Sequence, residues 1–293
     1  MIARWRTRLR DLFLRILLLM AMLAGASYFL QDRLLHYPEP IELPSALTLA
    51  RQLRLAPWPD AAQPRGWLRE PADAARGTVI LFHGNGGHAL HRDWYADMLQ
   101  QQGYRTLLAE YPGYGHRSGA KDEASLAGDA AELILALRRE FPGPLLVAGE
   151  SLGAGVAAFA LARLGAAQHV DGVLLITPWD SLTNVAGHHY PQALVGLVLR
   201  DRYDSVANLA GYAGPKLVMI AGRDSIIPAE LGRKLFADLG PPKKLVELPG
   251  VDHNDWMGAM SVANYQQCGL AASMSHSDHA YTQLGAERDI LGA

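Results

Sequence analysis

The strongest constraint in this chain is a rhythm. Short runs of apolar, β-prone residues alternate with longer stretches whose apolar positions recur at helical spacing. Thr78 to Phe82 is the first such run, followed by a glycine loop and an expected helix from His88 to Gln102. Tyr104 to Leu108 is the second. Asp122 to Glu140 reads as a helix because Leu126, Ala130, Leu133, Ile134 and Leu137 fall on one face. Leu145 to Ala148 leads into a helix through Leu164, and Val173 to Thr177, Leu217 to Ala221 and Lys244 to Leu248 complete the strands. Fully apolar strands separated by amphipathic helices make an α/β fold, a mostly parallel sheet with helices on both faces. Such sheets carry their sites at the carboxyl ends of the strands. Chemistry is therefore expected just after each apolar run.

Around this rhythm the chain divides. Residues 66–272 hold the alternating domain, with a lapse at about 179–213 that reads as a short helical cap. Trp179, Tyr190, Leu194, Val195, Leu197 and Val198 would give that cap an apolar underside. Residues 32–65 are rich in proline and polar groups and read as a connector; residues 273–293 are a polar extension. The 293 residues suffice for a sizeable core, and 49% apolar against 19% charged content excludes wholesale disorder. A net charge of −2 offers no basic excess for nucleic acid. Cys268 is the only cysteine, so no internal disulfide can form.

Residues 1–31 follow different rules. Arg4, Arg6, Arg8 and Arg10 precede an unbroken apolar run from Ile16 to Leu30. With Leu12 to Leu14 included, the segment approaches the roughly twenty helical residues that cross hydrocarbon, and Arg15 can snorkel to the headgroups. Three readings stand: a retained signal anchor with its arginines in the cytoplasm, a cleaved signal peptide, and a buried or amphipathic N-terminal helix. Ala24-Gly25-Ala26 has the small-x-small form of a cleavage site. The first two place the remaining chain outside the cytoplasm, membrane-bound or secreted.

The third strand of the rhythm ends in Gly149-Glu150-Ser151-Leu152-Gly153, a G-x-S-x-G nucleophile elbow in the strand-to-helix setting it requires. A serine hydroxyl needs a base, and the base an orienting acid. In hydrolases built this way the chain order is serine, acid, histidine. Asp224 follows the fifth strand and His253 the sixth, both where the rule puts them. Asp180, after the fourth strand, is the rival acid; Asp252 is read as structural. His83 is read as a loop support, while His36, His88, His91, His116, His169, His188, His189, His276 and His279 fit the order less well. The oxyanion of an acyl intermediate needs two N–H donors, for which Leu152 and Asn85 are the candidates.

One rival reading starts from Gly84-x-Gly86-x-x-Ala89 with Glu110 at the next strand end, which matches a dinucleotide fingerprint. It would leave Ser151, Asp224 and His253 as three coincidences. No P-loop and no metal-ligand spacing is present, so neither a cofactor nor a metal is expected.

In His83-Gly84-Asn85-Gly86-Gly87, Glu110-Tyr111-Pro112-Gly113-Tyr114-Gly115, Gly149 to Gly153, Gly222-Arg223-Asp224 and Asp252-His253-Asn254-Asp255, the chain resembles the α/β-hydrolase superfamily from about Gly66 to Asp255. Phe29 to Leu35 and Asp201-Arg202-Tyr203-Asp204-Ser205 are similar to the bud-emergence type and its relatives, single-pass anchored proteins that include protein depalmitoylases. The resemblance implies a cofactor-independent serine hydrolase acting on a small or lipid-like acyl substrate. Ester or thioester cleavage is the expected reaction; peptide cleavage and a non-catalytic binding module are the alternatives. The family usually closes with a helix soon after the histidine, for which Trp256 to Ala272 is the candidate.

Overall fold

The computed structural model describes residues 2–165 and 170–259. Eight strands form one sheet: β1 (Ala56–Trp58), β2 (Gly66–Arg69), β3 (Thr78–Phe82), β4 (Arg105–Ala109), β5 (Leu145–Glu150), β6 (Gly172–Ile176), β7 (Lys216–Ala221) and β8 (Lys243–Leu248). Their spatial order is β8-β7-β6-β5-β3-β4-β2-β1. All neighbours are parallel except β2 against β4 and β1 against β2. Every apolar run of the sequence became a strand within a residue or two of its expected ends. The early antiparallel pair was not visible, because β1 and β2 are short and one contains Pro57.

The helices are α1 (Ile2–Leu35), α2 (Leu43–Gln52), α3 (Asp93–Gln101), α4 (Glu123–Glu140), α5 (Leu152–Leu164), α6 (Leu182–His189), α7 (Gln192–Val198), α8 (Ser205–Leu209), α9 (Ala229–Asp238) and α10 (Trp256–Ala259). Both faces of the sheet are covered. Leu126, Ile134, Val156 and Leu235, from α4, α5 and α9, build one core layer. Ala46, Tyr95, Leu99 and Trp256, from α2, α3 and α10, build the other. Local chemistry fixes the starts: the Asp122 carboxylate caps α4 through Ser125 N–H at 2.9 Å, and Ser181 caps α6 through Asn184 N–H at 3.2 Å. The helix expected from His88 opens as a 3₁₀ turn, Ala89–Arg92, before α3 begins.

The expected connector is more ordered than its prolines suggest. It contains α2, with Pro44 in its first turn and buried Ala46 and Ala50, and β1, which completes the sheet edge. Its start is stitched onto the domain by parallel pairing of Tyr37–Pro38 with Gly86–Gly87.

Within α1, Arg8–Arg33 is long and apolar enough to cross a membrane, and its apolar window is not buried by the rest of the protein. The cap comprises α6, α7 and α8. Its two roots are clamped together by Leu182 N–H to Arg202 O at 2.8 Å and Ser205 N–H to Asp180 O at 2.8 Å. Trp179 and Val195 are buried as expected. Tyr190 at 63% and Leu197 at 76% exposure are not, so the apolar residues of the cap face outward as well as inward. The closing helix is described only as α10; the remainder of Trp256 to Ala272, the polar extension, Cys268, His169, His276 and His279 lie outside the described residues.

Candidate active site

The order of strands reverses between β3 and β5, the switch point where an open α/β sheet leaves a crevice at its carboxyl edge. Phe82 pairs with Gly149 there, so the loop after β3 and the turn after β5 emerge side by side. Ser151 occupies that turn with φ 53° and ψ −113°, a conformation natural to glycine and strained for serine. Its N–H is held by Ile176 O at 2.8 Å. The flanking glycines are required by space. A Cβ on Gly153 would stand 2.0 Å from Phe82 O, and one on Gly149 2.3 Å from Gly153 O.

Three strand spacings, about 14 Å, separate β5 from β8. The loop after β8 crosses that gap. It leans on the loop after β7 through Gly222 N–H to Leu248 O and Arg223 N–H to Val251 O, both 2.9 Å. His253 Nε2 consequently lies 3.0 Å from Ser151 Oγ, and Nδ1 lies 2.6 Å from Asp224 Oδ2. A carboxylate can only accept, so Nδ1 carries the proton and Nε2 is left to receive one from the serine. The other Asp224 oxygen accepts from Ile226 N–H at 3.0 Å and Ile227 N–H at 2.6 Å. All three side chains are buried. The rival Asp180 is committed elsewhere: its carboxylate accepts from Ser181 N–H and Asn184 Nδ2 and pairs with Lys234 at 3.0 Å.

Leu152 opens α5 directly after Ser151, where the N–H groups of a first turn have no partner within the helix. Asn85 lies in the loop after β3. Its side chain is occupied, accepting from Tyr114 Oη at 3.0 Å and donating to Leu35 O at the end of α1. His83 is a support, its Nδ1 2.7 Å from Gly84 O and its Nε2 3.3 Å from Glu110. Glu110 also accepts from Ala89 N–H at 3.1 Å, so the acid that a dinucleotide ribose would need is spent on the loop.

Sequence reasoning missed one participant. Glu150, the residue before the serine, is gripped by Arg92, with Nη2 at 3.0 Å, and by Tyr95 Oη at 3.0 Å. Burial opposes the Arg92 charge, yet the adjacent carboxylate holds its pKa above the ordinary value. An acid ending an otherwise apolar strand was the one available sign.

Among the described residues, the other histidines do not converge on Ser151. His116 binds Pro64 O at 2.9 Å, and His188 and His189 are exposed at the end of α6. Contrary to the sequence reading, one group among the described residues has metal-binding donors in proximity: Glu39, His88 and His91, within 4.8 Å of one another. The two rings lie close together, centroids 3.7 Å apart and tilted 33°. Burial, then His91, push the His88 pKa below the ordinary value.

A sequence profile for the family described as serine aminopeptidase, S33, matches residues 73–200. The uncharacterized protein Rv2307c of Mycobacterium tuberculosis is 33% identical over 232 residues, covering 77% of this chain and 81% of that protein. The chain is an α/β-hydrolase of the same family as Rv2307c. Another relative of this hydrolase is the lysophosphatidylserine lipase ABHD12 of Danio rerio, 27% identical over 206 residues, covering 64% of the chain and 53% of the lipase. Among solved structures, the esterase Pf2001 of Pyrococcus furiosus superposes with a TM-score of 0.60 at 17% identity, covering 81% of the hydrolase and 96% of the esterase. A monoacylglycerol lipase of Paleococcus ferrophilus gives 0.53 at 19% identity, over 71% of the hydrolase and 98% of the lipase. These two likenesses establish the shared fold.

Proposed function

We propose that this chain is a serine hydrolase that cleaves carboxylic esters or thioesters of lipid-like acyl groups, held at a membrane by α1. The observation that carries the reading is the relay Asp224–His253–Ser151, with contacts of 2.6 and 3.0 Å across three separate loops. Ser151 Oγ attacks the acyl carbonyl while His253 Nε2 takes its proton and then delivers it to the leaving oxygen or sulfur. Asp224 keeps the imidazole in the accepting tautomer and stabilises its cation. The N–H groups of Leu152 and Asn85 receive the oxyanion. Water, deprotonated by the same imidazole, then releases the acyl group from Ser151. The alternating arginines before the apolar stretch orient residues 66–272 away from the cytoplasm.

The ABHD12 relative is named for lipase action on a lysophospholipid, which supports a lipid-like acyl substrate here. The family description favours a second reading, an aminopeptidase. Fluorophosphonate labelling of wild type and Ser151→Ala tests the chemistry. Label on wild type alone supports it, and label on neither protein overturns it. A panel of acyl esters, thioesters and aminoacyl amides divides the two readings, with cleavage of the amides alone deciding for the peptidase.

A further inference from the structure

The hydrolase reading leaves the outward apolar face of the cap unused. Between that face and α1 lies a groove of about 470 Å³, within the range of small-molecule sites. Leu23 and Ala24 form one wall; Ala186, Tyr190, Leu194 and Val198 form the other. We propose that this groove is the berth of an acyl chain drawn sideways from the bilayer, so that the substrate is a membrane-resident ester bearing a long chain. The inference rests on the catalytic reading above and specifies its substrate.

The position of the groove commits it to lipid. One wall is the helix that crosses the membrane, so the groove opens into hydrocarbon. The opposite wall is suited to the same medium. From Tyr190 to Leu199 the cap carries no charge, and Leu197 points its apolar side chain outward. Charge resumes at Arg200, which pairs with Asp32 and lies 5.5 Å over the Tyr28 ring. An aromatic and an ion pair at this level mark the boundary with water. Counting about twenty residues back along α1 from that boundary gives about 30 Å, the thickness of the hydrocarbon, and ends near Leu12 at the arginine-rich side. With α1 seated this way, α7 lies within the leaflet.

The lower end of the groove is the reactive end. Leu35 lines it, and the carbonyl of Leu35 accepts from the side chain of Asn85, the residue placed at the oxyanion. A chain lying along α1 therefore brings its ester to the loop after β3, while its tail never leaves the apolar phase.

The test uses the full chain in lipid nanodiscs with two esters, a palmitoyl lysolipid and water-soluble 4-nitrophenyl butanoate. Ala24→Trp and Ala186→Trp fill the groove from its two walls; Leu18→Trp adds the same bulk to an exposed position on α1 outside it. The palmitoyl-to-butanoyl ratio of kcat/KM is expected to fall by about tenfold or more in both groove variants and to stay unchanged in Leu18→Trp. An unchanged ratio in the groove variants, with fluorophosphonate labelling still dependent on Ser151, overturns the groove and spares the hydrolase. Photo-crosslinking of wild type with a diazirine-bearing palmitoyl lysolipid gives a readout that needs no turnover. Label on the 20–35 and 186–199 segments supports the berth even if catalysis fails, and label confined to other surfaces rejects it.

Discussion

Asp252 fastens the histidine loop to the acid loop. Its carboxylate accepts from Ser225 N–H at 2.8 Å and, through both oxygens, from Ser225 Oγ at 2.9 Å, while also receiving His253 N–H at 2.7 Å. The residue adjacent to His253 thus sets its position without a hydrogen bond to Ser151.

Replacing Asp252 by Ala should lower kcat/KM on a soluble ester by about tenfold, mostly through kcat, because a relay misplaced by a fraction of an ångström loses rate. Asp252→Asn retains an acceptor for Ser225 and should recover most of the loss. Steady-state kinetics on both variants, with circular dichroism as a check of folding, reads the outcome; equal rates for Ala and wild type would refute the coupling.

Ser151 stores strain, and its removal should show as stability. A non-glycine residue in this conformation costs about 1–3 kcal/mol, whereas glycine adds about 0.5–1 kcal/mol of chain entropy to lose on folding. Relief exceeds the entropy, so Ser151→Gly should be inactive yet melt above Ser151→Ala by a few degrees. Differential scanning fluorimetry of the two variants decides it, and a lower Tm for the glycine variant would count against the strain.

His36 is buried, its Nδ1 3.1 Å from Tyr114 Oη, and burial pushes its pKa down from 6.5 to about 4. The unfolded chain binds a proton that the fold refuses, so this contribution is full above pH 6.5 and drains away as pH falls toward 4. The shift corresponds to about 3 kcal/mol over that window. Denaturant unfolding of His36→Gln in micelles should show an acid-side decline smaller by about that amount. Parallel declines in variant and wild type would exclude His36 as the cause.

Asp201 works in the opposite sense. Burial under the cap raises its pKa from 3.8 to about 6, with the Glu123 charge adding to the rise. The folded state retains a proton between those values, so stability falls as pH rises through the window and the deficit is complete above pH 6. Asp201→Asn should therefore stabilise the protein by up to about 3 kcal/mol at pH 7.5 and by little at pH 4. Melting curves at the two pH values provide the check, and an equal gain at both would point to another origin.

What the sequence disclosed follows from how each residue is positioned. Ser151, Asp224 and His253 were legible because strands end where apolar runs end, and a parallel sheet gathers those ends on one edge. Glu150 with Arg92, and Asp252 with Ser225, were not, because each pair joins separate loops whose approach depends on register. The helix over Leu43–Gln52 was masked by prolines that in fact sit in its first turn and beyond its end. The apolar residues of the cap are plain in the sequence, but which of them face inward depends on neighbours that the linear pattern does not reveal, and Tyr190 and Leu197 are exposed.

Gln31 gives the last consequence. Its amide donates to Val198 O at 3.2 Å and accepts from Arg200 N–H at 3.0 Å and Asp201 N–H at 3.2 Å, so the base of the cap is completed by α1 itself. Cutting the chain after residue 35 would remove that partner, stranding those backbone groups at the base of the cap. Solubilised fragments would then report the habits of a damaged catalyst.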